Sequence, residues 1–366
     1  MKNGSFLSAI FLMFMGTVGS GIFVLPYLFY HSNFIFAVFF LLILGLVTGV
    51  LNHFYAHIVT STSGDHQLAG YARIYLGHRF ASLATLNLLL LSFGAIAVYL
   101  KLFVSFISLL FPTFSPFLLL TFYFLLLSLL YFLYFHPSPT FDFIIPVFML
   151  LIPIFLFVYS FRFSLLTINY SLLTSPSFKF FGATIYALSG FTIIPEVQEI
   201  LLKDKKHRHS LPLVVTLGMI MVIFCYLMFI YGVIAISNGG VSIDAVTGLS
   251  RSTPLLAKII SGFGAVIVMR ASFGFLIVLR ELFFRDLSLP KNLSNILPLS
   301  FPILALTLGS ISLISLISLT GNITIFVSAL LICLIRLRLP TTFWTQFWVL
   351  LVLISLFLGL VINFIF

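Results

Sequence analysis

Eleven long apolar runs constrain the fold of this chain more than any other feature of its sequence. Each is long enough, at about 17–25 residues, to carry a helix across the hydrocarbon core of a bilayer. With 61% hydrophobic residues, 7% charged residues and a mean hydropathy of +1.26, the chain could not hide its apolar surface in a soluble core. The sequence therefore predicts an all-α membrane protein. The runs cover residues 6–30, 34–60, 81–110, 116–135, 142–161, 178–201, 211–237, 254–280, 296–318, 321–338 and 343–366.

Several other classes of protein are excluded by what the sequence lacks. It has no short alternating segments of the kind that build an outer-membrane barrel. Its first run is too long for a signal peptide, follows only Lys2 and has no small-residue cleavage pattern. Cys225 and Cys333 lie inside predicted helices, and His53 and His57 share a helical face without a third ligand. We therefore expect no enzyme activity, no cofactor and no metal site.

The basic residues predict the orientation in the membrane. If the N-terminus is cytoplasmic, 12 of the 18 basic residues fall on the cytoplasmic side, as the positive-inside rule requires, and the C-terminus is external. The net charge of +10 is then a topology signal and needs no nucleic-acid partner. The segment KDKKHRH, residues 203–209, is interpreted as a solvated cytoplasmic loop. The 12 residues are Lys2, Arg73, Arg79, Lys203, Lys205, Lys206, Arg208, Arg280, Arg285, Lys291, Arg336 and Arg338; the other six, Lys101, Arg162, Lys179, Arg251, Lys258 and Arg270, lie in helices or outside.

A Ser-Gly-Pro pattern occurs twice, about half a chain length apart. Ser20-Gly21, four residues and Pro26 in the first run recur as Ser189-Gly190, four residues and Pro195 in the sixth. The two runs cross the membrane in opposite directions in the predicted topology. Matched depth, opposite direction and half-length spacing together are typical of inverted repeats that each contribute one discontinuous helix at the bilayer midplane.

A helix broken at such a pattern presents two kinds of binding group. The freed N–H groups of Gly19, Ser20 and Gly21 form a positive dipole end that suits a carboxylate. The carbonyls near Met15 to Thr17 and near Leu188 and Ser189 form negative ends that suit an ammonium group or a cation. Adjacent partners of both kinds predict an α-amino acid site. Close helix packing is the alternative reason for the glycines.

The same residues carry a resemblance to a known family. The stretches GTVGSGIFVLPYLF and FGATIYALSGFTIIPEVQEILLKDKKHRHSL resemble the amino acid/auxin permease family, within the amino acid, polyamine and organocation superfamily. The resemblance continues less closely through QLAGYARIYLG (67–77) and RASFGFLIVLRELFFRDLSLPK (270–291). It implies the leucine-transporter fold, with transport by alternating access.

The resemblance also implies how the chain is divided and which residues bind substrate. The whole chain, 1–366, would be one transporter domain, with inverted five-helix repeats at 6–161 and 178–338 and an extra helix at 343–366. Phe191 falls where relatives place an aromatic lid over the substrate. The implied substrate-binding residues are Thr17, Val18, Gly19, Ser20, Gly21, Ser189, Gly190, Phe191 and Thr192.

The residues near the eighth run bear on the coupling ion. Sodium-coupled relatives use hydroxyls there, whereas this chain offers only Ala271 and Ser272, a single hydroxyl, immediately after the fixed cation Arg270. Because that cation opposes sodium binding, we expect proton coupling. Ionisable groups in apolar runs are functional candidates, which adds Lys101 and Glu196 to the coupling candidates. Lys101 and Arg270 are preferred for a role in place of a metal ion, because each lies within a long apolar run. Other roles are open for these groups: Lys258 is also placed to snorkel to the interface, and Glu196 also suits the first turn of its half-helix as an acid. Asp142 and Glu199 suit ordinary salt bridges.

Two functions are compatible with these features. The first is a plasma-membrane secondary transporter that imports neutral amino acids, with the proton as its partner and sodium less favoured. The second is a non-transporting amino-acid sensor of the same fold, similar to the membrane subunits of spore germinant receptors. The Pro195-Glu196 continuation favours the permease.

Overall fold

The computed structural model describes residues 4–133, 141–163, 180–203, 207 and 209–365. The first residues of the predicted run 178–201 and the last of the run 116–135 lie outside this part. So do five of the basic residues used for the topology and the side chain of Asp142. The five are Lys2, Lys179, Lys205, Lys206 and Arg208.

The described residues form helices and their connections, with no strand among them, so the all-α prediction is confirmed. Short 3₁₀ segments lie at Phe191–Ile193, Leu297–Leu299 and Leu306–Leu308, and π-helical segments at Leu282–Asp286 and Thr320–Ile325. The α-helices are α1 (Gly4–Thr17), α2 (Gly21–Tyr30), α3 (Phe34–Ser61), α4 (Leu68–Leu76), α5 (His78–Leu110), α6 (Pro116–Leu133), α7 (Phe141–Ser160), α8 (Phe181–Leu188), α9 (Ile194–Leu202), α10 (Leu211–Ile236), α11 (Val246–Leu249), α12 (Pro254–Glu281), α13 (Lys291–Ile296), α14 (Ser300–Ala305), α15 (Leu313–Leu319), α16 (Phe326–Arg338) and α17 (Phe343–Ile365).

The predicted apolar runs all have helical counterparts. In the described part of the chain, eight helical segments are long and apolar enough to cross a membrane, and the bent pair α1 and α2 makes a ninth. The other two runs correspond to α7 and to the interrupted helix from α13 through residue 308. Helix α7 contains Pro146 and Pro153, which remove hydrogen-bond donors inside an otherwise apolar span.

One predicted boundary is wrong. The run assigned to residues 296–318 contains a turn, and α15 begins at Leu313 inside it. The Ser312 side chain accepts a hydrogen bond from the Ser315 N–H at 3.1 Å and so starts the new helix. The turn was missed because Gly309, Ser310 and Ser312 are small and flanked by leucine and isoleucine, so the local hydropathy barely falls.

The two broken helices lie at the centre of the bundle and pair half to half. Helix α1 packs against α9, and α2 packs against α8. Helices α3 and α10 contact these halves, and α5 packs along most of α12. The four half-helices therefore meet at one level, where both interruptions lie. The repeat boundaries at 6–161, 178–338 and 343–366 stay a prediction.

Candidate substrate site between two helix breaks

The first break separates α1 from α2. Helix α1 ends at Thr17, α2 begins at Gly21, and their axes differ by 54°. The Val18 N–H still bonds to Phe14 O at 2.9 Å, and the Phe23 N–H bonds to Ser20 O at 3.1 Å. The first amides of α2 have no partner within their own helix, so they present a positive end at the break.

The second break lies at Ser189 and Gly190. Helix α8 ends at Leu188, and Ser189 has an extended conformation (φ −81°, ψ 101°). One 3₁₀ turn, Phe191–Ile193, then leads into α9, which has Pro195 in its first turn. Both breaks therefore lie where the repeated Ser-Gly-Pro pattern predicts them.

The glycines at the breaks also allow the half-helices to approach. A Cβ atom at Gly21 would overlap the Cβ of Ala187 and lie 2.6 Å from its Cα. A Cβ at Gly190 would overlap the Thr17 hydroxyl, and one at Gly16 would lie 2.7 Å from the Ile193 side chain. The packing role that the sequence left open is therefore present, alongside the break itself.

A narrow cavity lies between the two breaks. Only about 20 Å³ is open to the centre of a water molecule, which is room for one or two waters. None of the described side chains that line it is charged. The lining residues are Gly16, Thr17, Gly19, Gly21, Leu91, Tyr99, Tyr186, Ala187, Ser189, Thr192 and Phe275.

Five of the nine substrate-binding residues implied by the resemblance line this cavity, namely Thr17, Gly19, Gly21, Ser189 and Thr192. The other four, Val18, Ser20, Gly190 and Phe191, are buried beside it. The Phe191 ring, expected as a lid, packs edge-on against Tyr55 of α3, with the ring centres 6.1 Å apart. The aromatic side chains that face the cavity are Tyr99, Tyr186 and Phe275.

Two tyrosines that the sequence analysis did not assign complete the polar lining. A Cβ at Gly19 would lie 2.8 Å from the Tyr99 hydroxyl oxygen, so this hydroxyl reaches the first break. The Ser20 hydroxyl donates to the Tyr186 hydroxyl at 3.4 Å, and Tyr99 is within hydrogen-bonding reach of both. A tyrosine inside a long apolar run was the available signal, since its hydroxyl needs a partner in the membrane.

The coupling candidates on α12 lie outside the cavity lining. The Ser272 hydroxyl donates to Val268 O at 2.8 Å and accepts from the Tyr123 hydroxyl at 2.7 Å. The Arg270 guanidinium lies over the Phe273 ring, 5.4 Å from its centre. In this conformation, therefore, Ser272 faces α6 and not the carbonyls of the first break.

The other two coupling candidates have different surroundings. The Lys101 ammonium donates to the Gly309 carbonyl at 2.7 Å, in the turn before α15. The Glu196 carboxyl lies in the first turn of α9, and its buried Oε1 atom has no hydrogen-bond partner among the described residues. Arg270, Arg285, Glu199 and Glu281 act on this carboxyl electrostatically.

A charged cluster joins α9, α12 and the α3–α4 connection. The Arg285 guanidinium bonds Glu199 of α9 at 2.7 Å, pairs with Glu281 one turn earlier, and lies 3.8 Å from Asp65. Next to it, Asp286 accepts from the Gly70 N–H at 2.8 Å. The cluster lies on the side of the bundle where the chain begins, because Phe6 of α1 contacts His207 just beyond α9.

Comparison with solved structures identifies the architecture. The manganese transporter of Eremococcus coleocola, in a variant form, aligns with 98% of this chain and 86% of its own at a TM-score of 0.68 and 17% identity. The structure of MhsT in complex with L-phenylalanine aligns over 98% of this chain and 98% of its own, with a TM-score of 0.66 and 15% sequence identity. Mhp1, a nucleobase-cation-symport-1 family transporter with bromovinylhydantoin bound, aligns over 89% of this chain and 76% of its own. The TM-score is 0.62 and the sequence identity is 12%.

The chain has the leucine-transporter fold. No protein-family model and no curated protein matches the sequence. At these levels of identity the likeness concerns the fold alone.

Proposed function

We propose that this protein is a secondary transporter that imports neutral amino acids by alternating access. The observation that carries the proposal is the meeting of two helix breaks at one cavity without a charged lining side chain. The amides at the start of α2 are suited to a substrate carboxylate. The carbonyls at the ends of α1 and α8 are suited to its ammonium group.

The cavity must widen before it can hold an amino acid. In this closed arrangement it has room for only one or two waters, so even a small amino acid requires Tyr99, Tyr186 or Phe275 to move. A large aromatic side chain requires a wider rearrangement.

The lining disfavours a transition-metal substrate such as the manganese carried by the Eremococcus protein. Its side chains include no histidine, cysteine, methionine or carboxylate, and the described residues contain no cluster of three such metal-binding acids, histidines or cysteines. Manganese prefers carboxylate, carbonyl and water ligands. Without a carboxylate, the double charge of the ion would be uncompensated in an apolar bundle.

For the coupling ion we favour the proton, carried by Glu196. Its Oε1 atom is buried without a partner in the described part of the chain, and its position in the first turn of α9 places it on a half-helix that borders the site. A carboxyl that gains and loses a proton there would change the charge next to the moving half-helix. Sodium is less favoured because Ser272 is engaged by Tyr123.

The basic residues support a plasma-membrane location with a cytoplasmic N-terminus. Arg280, Arg285 and Lys291 cluster around the end of α12, on the side where the chain begins. That asymmetry is the positive-inside signal. Import is then transport toward this side.

Uptake by proteoliposomes tests the proposal against the sensor of the same fold. Radiolabelled glycine, alanine and serine should accumulate when the lumen is alkaline, and a protonophore should abolish accumulation. Protein-free liposomes provide the control. Saturable binding of these amino acids without any uptake or exchange would favour the sensor, and uptake that requires sodium at constant pH would refute proton coupling.

A further inference from the structure

One tyrosine joins the two helix breaks from behind the cavity. Tyr226 lies on α10, is fully buried and does not line the cavity. Its hydroxyl donates to the Ala187 carbonyl at 2.7 Å and lies 3.4 Å from the Thr17 carbonyl. These carbonyls belong to the last turn of α8 and the last residue of α1. A single O–H is thus shared between the two negative helix ends.

Two carbonyls at helix C-termini, brought together in an apolar bundle, need a positive partner. Each carries part of the negative end of its helix dipole, and neither has an intrahelical donor. A monovalent cation would satisfy both, as would a hydroxyl donor held in place by the protein. The fully buried ring of Tyr226 holds its hydroxyl at that point.

We infer that the Tyr226 hydroxyl takes the place of a bound monovalent cation between the two helix breaks, and so makes the site independent of sodium. A donor proton on a fixed ring satisfies the carbonyls in every ionic condition. A metal ion would do so only at sufficient concentration. The inference rests on the proposed function in one respect, because sodium independence is a property of a transporter. Its structural claim concerns only the two carbonyls and the hydroxyl that bonds them.

Replacement of Tyr226 by phenylalanine tests the inference, because it removes the hydroxyl and keeps the ring. The purified proteins are unfolded by heat in choline chloride, sodium chloride, lithium chloride and potassium chloride. The wild-type protein should unfold at one temperature in all four salts. Tyr226→Phe should unfold several degrees lower in choline, and a small cation, sodium or lithium, should restore its stability saturably.

Tyr231→Phe is the matched control. Tyr231 lies on the same helix, and its ring packs against Phe157 and Phe161 instead of the breaks. This variant should show no difference among the four salts. A saturable effect of sodium on the unfolding temperature of the wild-type protein would overturn the inference, because a cation would then bind even though the Tyr226 hydroxyl is present.

Two further outcomes would also overturn it: a Tyr226→Phe variant as stable as wild type in choline, or one destabilised equally in every salt. Because these readouts need neither substrate nor vesicles, they can fail while amino acid uptake succeeds. Uptake can equally fail while Tyr226 behaves as inferred.

Discussion

At the scale of single residues, the hydroxyl of Tyr99 reaches the first break from α5. It lies next to Gly19 and within reach of Ser20 and Tyr186. These hydroxyls extend the row of polar groups begun by the amides of α2. A substrate carboxylate at the break would therefore meet both backbone and tyrosine donors.

Tyr99→Phe should weaken amino acid binding about twofold to tenfold, since one hydrogen bond contributes about 0.5–1.5 kcal/mol. Isothermal titration of the purified protein measures the dissociation constant. Tyr123→Phe removes a buried hydroxyl bonded to Ser272, outside the cavity lining, and should leave binding unchanged. Equal losses in both variants would mean that Tyr99 acts through general stability.

Gly21 matters first for packing. Gly21→Ala places a methyl group against the backbone of Ala187 and should destabilise the protein by about 1–3 kcal/mol. Thermal unfolding in detergent measures the loss. Gly49→Ala in α3, where an added Cβ meets nothing within 4 Å, should be neutral or stabilising. A Gly21→Ala protein as stable as Gly49→Ala would contradict the close contact of α2 with α8.

At the scale of helices, Arg285 links three separate segments of the chain. It ties the end of α12 to α9 through Glu199 and to the α3–α4 connection through Asp65. In the proposed transport cycle, opening of the site toward this side would separate Glu199 of α9 from Arg285. The Arg285–Glu199 pair therefore favours the closed arrangement.

Arg285→Gln should increase access to the cavity from the side where the chain begins. The reporter is a cysteine at Thr192, a lining position, and its reaction rate with a water-soluble maleimide should rise several-fold. The native Cys225 and Cys333 are fully buried and add little background. Arg280→Gln is the control, because Arg280 bonds Glu281 and Asn295. In this variant the cysteine at position 192 should react with the maleimide at the rate of the parent protein. An unchanged rate in Arg285→Gln would show that the ion pair does not hold the closed state.

At the scale of the whole molecule, the proposed alternating access would be a coupled movement of α1–α2 and α8–α9 against their surroundings. The proton, if it is the coupling ion, must change a group on one of these moving parts. Glu196 lies on α9, whereas Lys101 lies on α5 and bonds a turn at residue 309. The two candidates can therefore be separated by the same assay.

Glu196→Gln should abolish accumulation driven by a pH gradient but retain exchange of labelled for unlabelled amino acid. Exchange needs the site but no net proton movement, whereas tenfold accumulation needs about 1.4 kcal/mol from a tenfold proton gradient. Lys101→Met should keep both activities. Gradient-driven accumulation by Glu196→Gln at the wild-type level would remove Glu196 from coupling and leave Arg270 as the remaining candidate.

The amino-acid sequence by itself determined the membrane environment, the helical class and the positions of both breaks. Those properties are local: long apolar runs demand helices in lipid, and Ser-Gly-Pro at residues 20–26 and 189–195 weakens the hydrogen-bond ladder at those points. The turn at 309–312 was missed because its residues are scarcely more polar than their neighbours.

Only the tertiary structure decided which side chains meet at the breaks. Helices α5 and α12 are apolar on nearly all faces, because lipid and protein interior favour the same residues, so the sequence pattern does not indicate that Leu91, Tyr99 and Phe275 face inward. The same holds for Tyr226, whose role depends on α10 passing behind both breaks. The rotation of each helix is set by contacts with distant parts of the chain, which short-range patterns do not encode.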